Sequence, residues 1–235
     1  MDHSAIKKED RRVTVTYILC IAALVLYALL LSCEIRTMLP SEIDMDIFNY
    51  SLCYFIGFSV QYGAFLALYI CLIVNPRQNR TKIVSLAFCI SSAVYFVAFC
   101  ISLIPYILMN WPDLSFMFCI LRMLDLILYI ILIILSRLLY KKVTKKSYSL
   151  LFCRILLFLF LTIWAVRMVV GTVSFTDLTI MDWYTLLKFV EVFMIFLPFY
   201  ITYKALTDEK FYQRFIVQFP QKPYHPQKLD IFSDK

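Results

Sequence analysis

Residues 180–206, IMDWYTLLKFVEVFMIFLPFYITYKAL, are long enough to cross a lipid bilayer, yet two charged residues, Lys188 and Glu191, interrupt the apolar run. A charge near the bilayer centre costs at least ~2.5–3.5 kcal/mol, so such residues normally face the protein interior and have a partner there. Lys188 and Glu191 are three residues apart and therefore share one face of a helix. Aromatic residues at both ends suit the two membrane interfaces, which predicts a complete span.

Five more apolar runs precede this one, and 62% of the chain is apolar, against roughly 45–50% in soluble domains. The mean hydropathy is +0.79. The sequence therefore predicts an all-α integral membrane protein, a bundle of six transmembrane helices that each cross a hydrocarbon core of ~30 Å. The predicted spans are 13–33, 52–74, 83–108, 116–140, 149–171 and 180–204.

Basic residues outside the spans are concentrated in alternate segments of the chain. The tail 1–12, the loop 75–82, the segment 141–148 and the tail that begins at Lys204 hold almost all of them, whereas the other loops hold only Arg36. Because basic loops stay in the cytoplasm, both termini are predicted to be cytoplasmic. The net charge of +7 then reflects topology and attraction to anionic lipids, and no nucleic-acid partner is expected.

The transmembrane domain, 13–204, is predicted to be followed by a cytoplasmic tail, 205–235, that contains an interfacial amphipathic helix. Aromatic residues recur there at helical spacing beside two basic residues, Lys210 and Arg214. Such a pattern is typical of a helix that lies on a membrane surface. The aromatic residues expected to rest on the cytoplasmic leaflet are Phe211, Tyr212, Phe215 and Phe219.

Five charged residues of the last three spans are predicted to form one charged layer in the exoplasmic half of the membrane. At a rise of 1.5 Å per residue, all of them lie roughly 6–13 Å below the exoplasmic surface. Each carboxylate can pair with the basic residue three positions before it, or with one on another helix, which leaves Arg167 without a carboxylate of its own. The charged layer comprises Arg122, Asp125, Arg167, Lys188 and Glu191. Polar side chains expected to line it are Gln61, Tyr62, Ser91, Ser92, Tyr95 and Tyr129.

Two interpretations of the charged layer stay open. In the first, it is a water-accessible pocket whose surplus positive charge binds, senses or transports a small polar or anionic ligand or a lipid. In the second, it is an intramembrane ion network that holds the bundle together in a structural or adaptor protein. Membrane lipids are expected partners in both, and assembly into a homo-oligomer is compatible with both.

Histidine is confined to the two tails, at His3 and His225, and this excludes several classes of membrane enzyme. Haem proteins, His-box desaturases, and zinc or Ser-His intramembrane proteases all need histidine at membrane depth. We therefore expect no enzymatic activity, no cofactor and no metal. A lipid-modifying enzyme that uses Asp125 or Glu191 as a general base is the remaining alternative, for which no second catalytic group can be named.

Overall fold

The computed structural model describes residues 3–38, 45–74, 80–110, 116–175, 190–191 and 194–217, and every regular element in these ranges is helical. Five long helices come first: α1, His3–Met38; α2, Met45–Val74; α3, Arg80–Asn110; α4, Phe116–Val143; and α5, Leu150–Phe175. A shorter helix, α6, covers Phe196–Thr207. The helical turn α7, Glu209–Phe211, then continues as a π-helix over Tyr212–Val217.

All five long helices contain a segment long and apolar enough to cross a membrane, as expected of an α-helical integral membrane protein. The segments are Arg11–Cys33, Ile56–Val74, Arg80–Leu103, Cys119–Val143 and Leu150–Val170. The first five predicted spans are therefore confirmed as membrane-length helices. The sixth predicted span, 180–204, falls partly outside the described residues: Val190 and Glu191 are helical, and α6 covers the span from Phe196 onward.

The helices extend beyond the apolar runs that predicted them. For example, α1 begins at His3, inside the segment 1–12 that the sequence predicts to be a charged tail. Helical hydrogen bonding does not require apolar side chains, and Lys, Arg and Glu all have high helix propensity. The charged residues therefore continue the helix past the part that is long and apolar enough to be buried in lipid.

Aromatic side chains fill the core where α1, α2 and α3 meet. Tyr27 of α1 lies against Phe65 and Tyr69 of α2, with ring centroids 5.4 and 6.0 Å apart. Phe65 also meets Tyr95 of α3 edge to face at 4.3 Å. All four side chains are at most 2% exposed. This packing fixes the position of Tyr95, one of the residues predicted to line the charged layer.

Gly57 allows α2 and α3 to approach each other closely. A Cβ added at Gly57 would lie 2.9 Å from the Cβ of Ser102 and 3.1 Å from the backbone oxygen of Ala98. A Cβ added at Gly63, on the same helix, would have no atom within 4 Å in the described part of the chain. A methyl group at Gly57 would therefore press against α3, whereas one at Gly63 would touch no described neighbour.

We expect Gly57→Ala to destabilise the protein by about 1–2 kcal/mol, because overpacking against a backbone atom outweighs the gain in helix propensity. Gly63→Ala is the matched control and should be neutral or stabilise the protein by up to ~1 kcal/mol. Thermal unfolding in detergent micelles measures both changes. Equal effects of the two substitutions would show that α2 and α3 do not meet at Gly57.

The last described residues, 208–217, which we name the C-terminal segment, fold back onto the bundle. Phe211 and Phe215 are at most 2% exposed, and the Phe215 ring lies 4.9 Å from that of Tyr17 in α1. The prediction that these aromatic residues rest on the leaflet is therefore wrong for Phe211, Tyr212 and Phe215, which are buried within the protein. The reason is that the helix ends offer the segment an apolar surface and hydrogen-bond donors. Phe219 lies outside the described residues.

Two basic residues attach the C-terminal segment to the bundle. Arg80, at the start of α3, donates through Nη2 to the backbone oxygen of Phe215 and to the Tyr17 hydroxyl, both at 3.1 Å. Lys142, near the end of α4, forms a 2.9 Å ion pair with Glu209. These contacts gather the first part of α1, the start of α3, the end of α4 and the C-terminal segment, and we name this region the basic end of the bundle.

The Lys142–Glu209 pair should make a small, pH-dependent contribution to stability. Partial burial alone would raise the pKa of Glu209, but hydrogen bonds from Lys142 and Gln213 outweigh it and lower the pKa below its ordinary value of 4.5. A lowered carboxyl pKa stabilises the fold above pH 4.5, and this stability is lost as the pH falls through the lowered pKa. Because the Glu209 side chain is 63% exposed, we expect less than ~1 kcal/mol.

Amide hydrogen exchange in the C-terminal segment, compared above and below this pKa, measures the effect. Glu209→Gln should remove this part of the pH dependence and keep the cap of the segment, in which the Asp208 carboxylate accepts from the amides of Lys210 and Phe211. Identical pH profiles for the wild type and Glu209→Gln would contradict the prediction.

Candidate functional site

Asp125 is the centre of an ion triad that joins α4 to α5. Its Oδ1 accepts a hydrogen bond from Nε of Arg167 at 2.8 Å, and its Oδ2 lies 3.7 Å from Nη1 of Arg122, which is one turn earlier on α4. The side chains of Asp125 and Arg167 are 8% and 12% exposed, whereas that of Arg122 is 33% exposed. The inner pair is therefore nearly closed, and Arg122 is the accessible member of the triad.

Glu191, one turn before α6, is held by tyrosine hydroxyls. Its Oε1 accepts a hydrogen bond from Tyr95 at 2.9 Å, and its Oε2 accepts one from Tyr62 at 3.2 Å. The backbone oxygen of Glu191 accepts from the amide of Ile195 at 3.1 Å, which connects Glu191 to the start of α6. Tyr62 and Tyr95 are 0% and 2% exposed. The Glu191 carboxylate thus joins the turn before α6 to α2 and α3.

Tyr129 connects the triad to Glu191. It follows Asp125 by one turn on α4, and its hydroxyl lies 3.1 Å from that of Tyr95, which donates to Glu191. On the triad side, the Phe99 ring lies 5.2 Å from the Tyr129 ring and 5.7 Å from the Arg122 guanidinium. The charged residues Arg122, Asp125, Arg167 and Glu191 therefore belong to one network, built by α2, α3, α4, α5 and the turn before α6.

This network contains four of the five residues predicted for the charged layer, and the fifth, Lys188, lies outside the described residues. The predicted pairing is wrong in one respect, because Arg167 does have a carboxylate. Asp125 lies closer to Arg167 of α5 than to Arg122 of its own helix. An arginine on a facing helix can meet the carboxylate head-on, whereas one at i−3 must fold back along its own helix to reach it.

Some of the predicted lining residues belong to the network and others do not. Tyr95 and Tyr129 belong to the network, as does Tyr62. Ser92 lies instead at a contact between α3 and α4, where its hydroxyl donates to the backbone oxygen of Phe88 at 2.6 Å and lies 3.0 Å from the Ser136 hydroxyl. Two further residues are buried: Ser91, and Gln61, whose Oε1 has no hydrogen-bond partner among the described residues.

Arg80 is a buried charge that sequence reasoning missed, since it was grouped with the basic residues of the loop 75–82. It is 4% exposed, and its Nη2 also approaches the backbone oxygen of Leu72 at 3.4 Å. Its Nε and Nη1 have no partner within the described ranges. No sequence signal separates such an arginine from one that only marks the cytoplasmic side, because two of its acceptors are backbone oxygens.

The network offers charges of both signs for recognition. At the triad, two guanidinium groups face one carboxylate, which leaves one positive charge in excess and suits a small anion. Both carboxylate oxygens of Glu191 accept a hydrogen bond from a tyrosine, and Asp125 Oδ1 accepts one from Arg167, whereas Asp125 Oδ2 makes the longer 3.7 Å ion pair with Arg122. Among the residues that the structure describes, no group of histidine, cysteine or carboxylate side chains could hold a metal ion.

Comparisons with models of protein families, with curated proteins and with solved structures find no match to this chain. Function therefore has to be inferred from the site itself.

Proposed function

We propose that this chain is a six-span membrane protein with both termini in the cytoplasm, and that its charged layer binds a small polar or anionic ligand or a lipid, in order to sense or transport it. No reaction is catalysed. The observation that carries the proposal is the ion triad, in which two guanidinium groups face one carboxylate while the Arg122 side chain stays 33% exposed. Charged residues at membrane depth usually mark ligand or ion sites, and an accessible one can reach a ligand.

The six-span topology is supported by a contact between the start of α5 and the end of α6. The Tyr148 hydroxyl, two residues before α5, donates to the backbone oxygen of Leu206 near the end of α6 at 3.0 Å. The start of α5 and the end of α6 thus lie together, and α5 is itself of membrane length. A chain that leaves along α5 and returns to the same side crosses the membrane once more, and this supports the proposed sixth span over 180–204.

The orientation is supported by the basic end, because basic segments remain in the cytoplasm. The four basic segments of the sequence adjoin the helix ends that Arg80 and Lys142 bring together. A cysteine introduced in place of Val143 in a Cys-less chain should resist labelling from outside intact cells. Labelling at that position would contradict the orientation.

A panel of small anions, namely phosphate, sulfate and short carboxylates, tests the binding function. Thermal stability of the full chain in lipid nanodiscs is measured with each anion. We expect at least one of them to stabilise the wild type and to lose this effect in Arg122→Gln. The matched control is Arg154→Gln, which removes an exposed arginine of α5 that is not part of the charged layer. Equal stabilisation of Arg122→Gln and the wild type would contradict the proposal.

The alternative is an intramembrane ion network that serves only to hold the bundle together. The 2.8 Å contact between Asp125 and Arg167 favours it, because both side chains are almost completely covered by the rest of the protein. A structural or adaptor protein of this kind would show no stabilisation by any anion of the panel. Its Arg122→Gln variant would also behave like the wild type in every assay that is normalised to folded protein.

A further inference from the structure

A groove of about 340 Å³ lies between α1 and α6, and none of its lining residues belongs to the charged layer. Its rim is basic, since it contains Arg11 and Arg12, which are both exposed. Among the side chains that the structure describes, neither arginine has an ion-pair partner. Among the described side chains, Arg11 and Arg12 thus give one end of the groove two positive charges.

Deeper along α1 the groove becomes apolar. Val15 and Leu19 follow Arg11 at intervals of four residues, so all three lie on one face of the helix. Val15 is 47% exposed and Leu19 is 41% exposed. The hydroxyl of Thr16, another lining residue, is bonded at 2.8 Å to the backbone oxygen of Arg12, so it does not add a donor to the groove.

The opposite wall is the Tyr200 side chain of α6, and packing holds it in place. The Tyr200 ring lies 6.3 Å from the ring of Phe196 and 6.3 Å from that of Phe211 in the C-terminal segment. A fixed aromatic wall beside an exposed aliphatic stripe makes a shallow channel that runs along the helix axis.

The groove begins where the first membrane-length segment begins, at Arg11. From Arg11 to Leu19 the helix rises about 12 Å, which leads from the membrane interface into the acyl-chain region. Charge is thus placed at headgroup depth, and apolar surface is placed at acyl depth. A free anion would use only the first of these surfaces.

We propose that this groove binds one anionic phospholipid of the leaflet at the basic end of the bundle. The headgroup phosphate lies between the guanidinium groups of Arg11 and Arg12, where charge-assisted hydrogen bonds are strongest. One acyl chain lies along Val15 and Leu19 against Tyr200. This site is separate from the charged layer, so the bound molecule is a structural lipid and not the ligand of that layer.

Native mass spectrometry of the full chain, released from nanodiscs of phosphatidylglycerol and phosphatidylcholine, tests the proposal by counting retained lipids. Arg11→Gln with Arg12→Gln removes the guanidinium groups that bond to the phosphate, and at roughly tenfold in affinity for each arginine, retention of phosphatidylglycerol should weaken about 100-fold. The matched control, Arg137→Gln with Arg154→Gln, removes two exposed arginines from the parts of α4 and α5 near the basic end. It should leave retention unchanged. Equal loss in the two double variants, or no loss in the first, would overturn the proposal.

A second variant tests the acyl-chain part of the groove. Leu19→Trp fills the apolar half without changing charge, and losing contact with about two methylenes should weaken retention by roughly tenfold. Inorganic phosphate, added as a competitor, should not displace the lipid. Unchanged retention in Leu19→Trp, or displacement by phosphate alone, would show that the groove is a simple anion site and would overturn the assignment to a phospholipid.

Discussion

Replacing Asp125 with asparagine should destabilise the protein by about 3–5 kcal/mol. The substitution leaves Arg122 and Arg167 facing each other without the carboxylate that both of them contact. Removing one partner of a buried ion pair costs more than the net contribution of the pair, because the remaining charge stays buried without compensation. Unfolding of the purified protein in detergent micelles measures the loss.

The two arginines of the triad provide the matched comparison. Arg167→Gln should cost nearly as much as Asp125→Asn, since the Arg167 side chain is 12% exposed and makes the 2.8 Å contact. Arg122→Gln should cost less than ~1 kcal/mol, because that side chain is 33% exposed and its contact is longer. Combining Asp125→Asn with Arg167→Gln should cost less than the sum of the two. Additive losses would mean that the two residues do not share a site.

The Arg122→Gln variant therefore separates folding from binding. Its small expected loss of stability leaves a folded protein in which the accessible guanidinium of the triad is missing. A stable Arg122→Gln protein that no longer responds to anions would support the binding function. A stable protein with an unchanged anion response would favour the structural network.

Replacing Glu191 with leucine should destabilise the protein by about 2–4 kcal/mol. Two buried tyrosine hydroxyls, those of Tyr62 and Tyr95, would lose the carboxylate that accepts their hydrogen bonds. A buried donor without an acceptor costs about 1–3 kcal/mol, and Tyr95 can still bond to the Tyr129 hydroxyl. Glu191→Gln keeps an acceptor oxygen of similar size and should cost clearly less in the same unfolding assay.

A double-mutant cycle identifies the tyrosines as the cause. In the wild type, Tyr62→Phe with Tyr95→Phe leaves the Glu191 carboxylate without these donors and should be destabilising. In the Glu191→Leu background the same pair of changes should cost less, because the two hydrogen bonds to the carboxylate are already absent. An equal cost in both backgrounds would show that Glu191 is not held by Tyr62 and Tyr95.

The sequence was sufficient to predict the five membrane-length helices, because length and apolar content are local properties of the chain. It was also sufficient to select Asp125, Arg122 and Arg167, since a charge inside an apolar run is visible without a structure. It could not predict which arginine lies closest to Asp125. That depends on how α4 and α5 are rotated against each other, which short-range spacing does not contain.

The position of the C-terminal segment could not be predicted from the sequence either. Its pattern of aromatic and basic residues fits a membrane surface and an apolar protein surface equally well, since an apolar helix face can be buried in either. The choice is made by residues far away in sequence, such as Tyr17 and Arg80, whose side chains meet Phe215. Neither residue has a local signature that predicts this contact.

The hydrogen bond from Arg80 to the Phe215 backbone oxygen joins two residues that are made at different times during synthesis of the chain. The two residues are 135 positions apart, so at about 5–20 residues per second the acceptor is made roughly 7–27 s after the donor. The other two acceptors of Arg80, the Tyr17 hydroxyl and the Leu72 backbone oxygen, are both made before it. Of the three acceptors that the structure gives Arg80, the Phe215 oxygen is the last to be made, so this hydrogen bond can form only after α4, α5 and α6 have been synthesised.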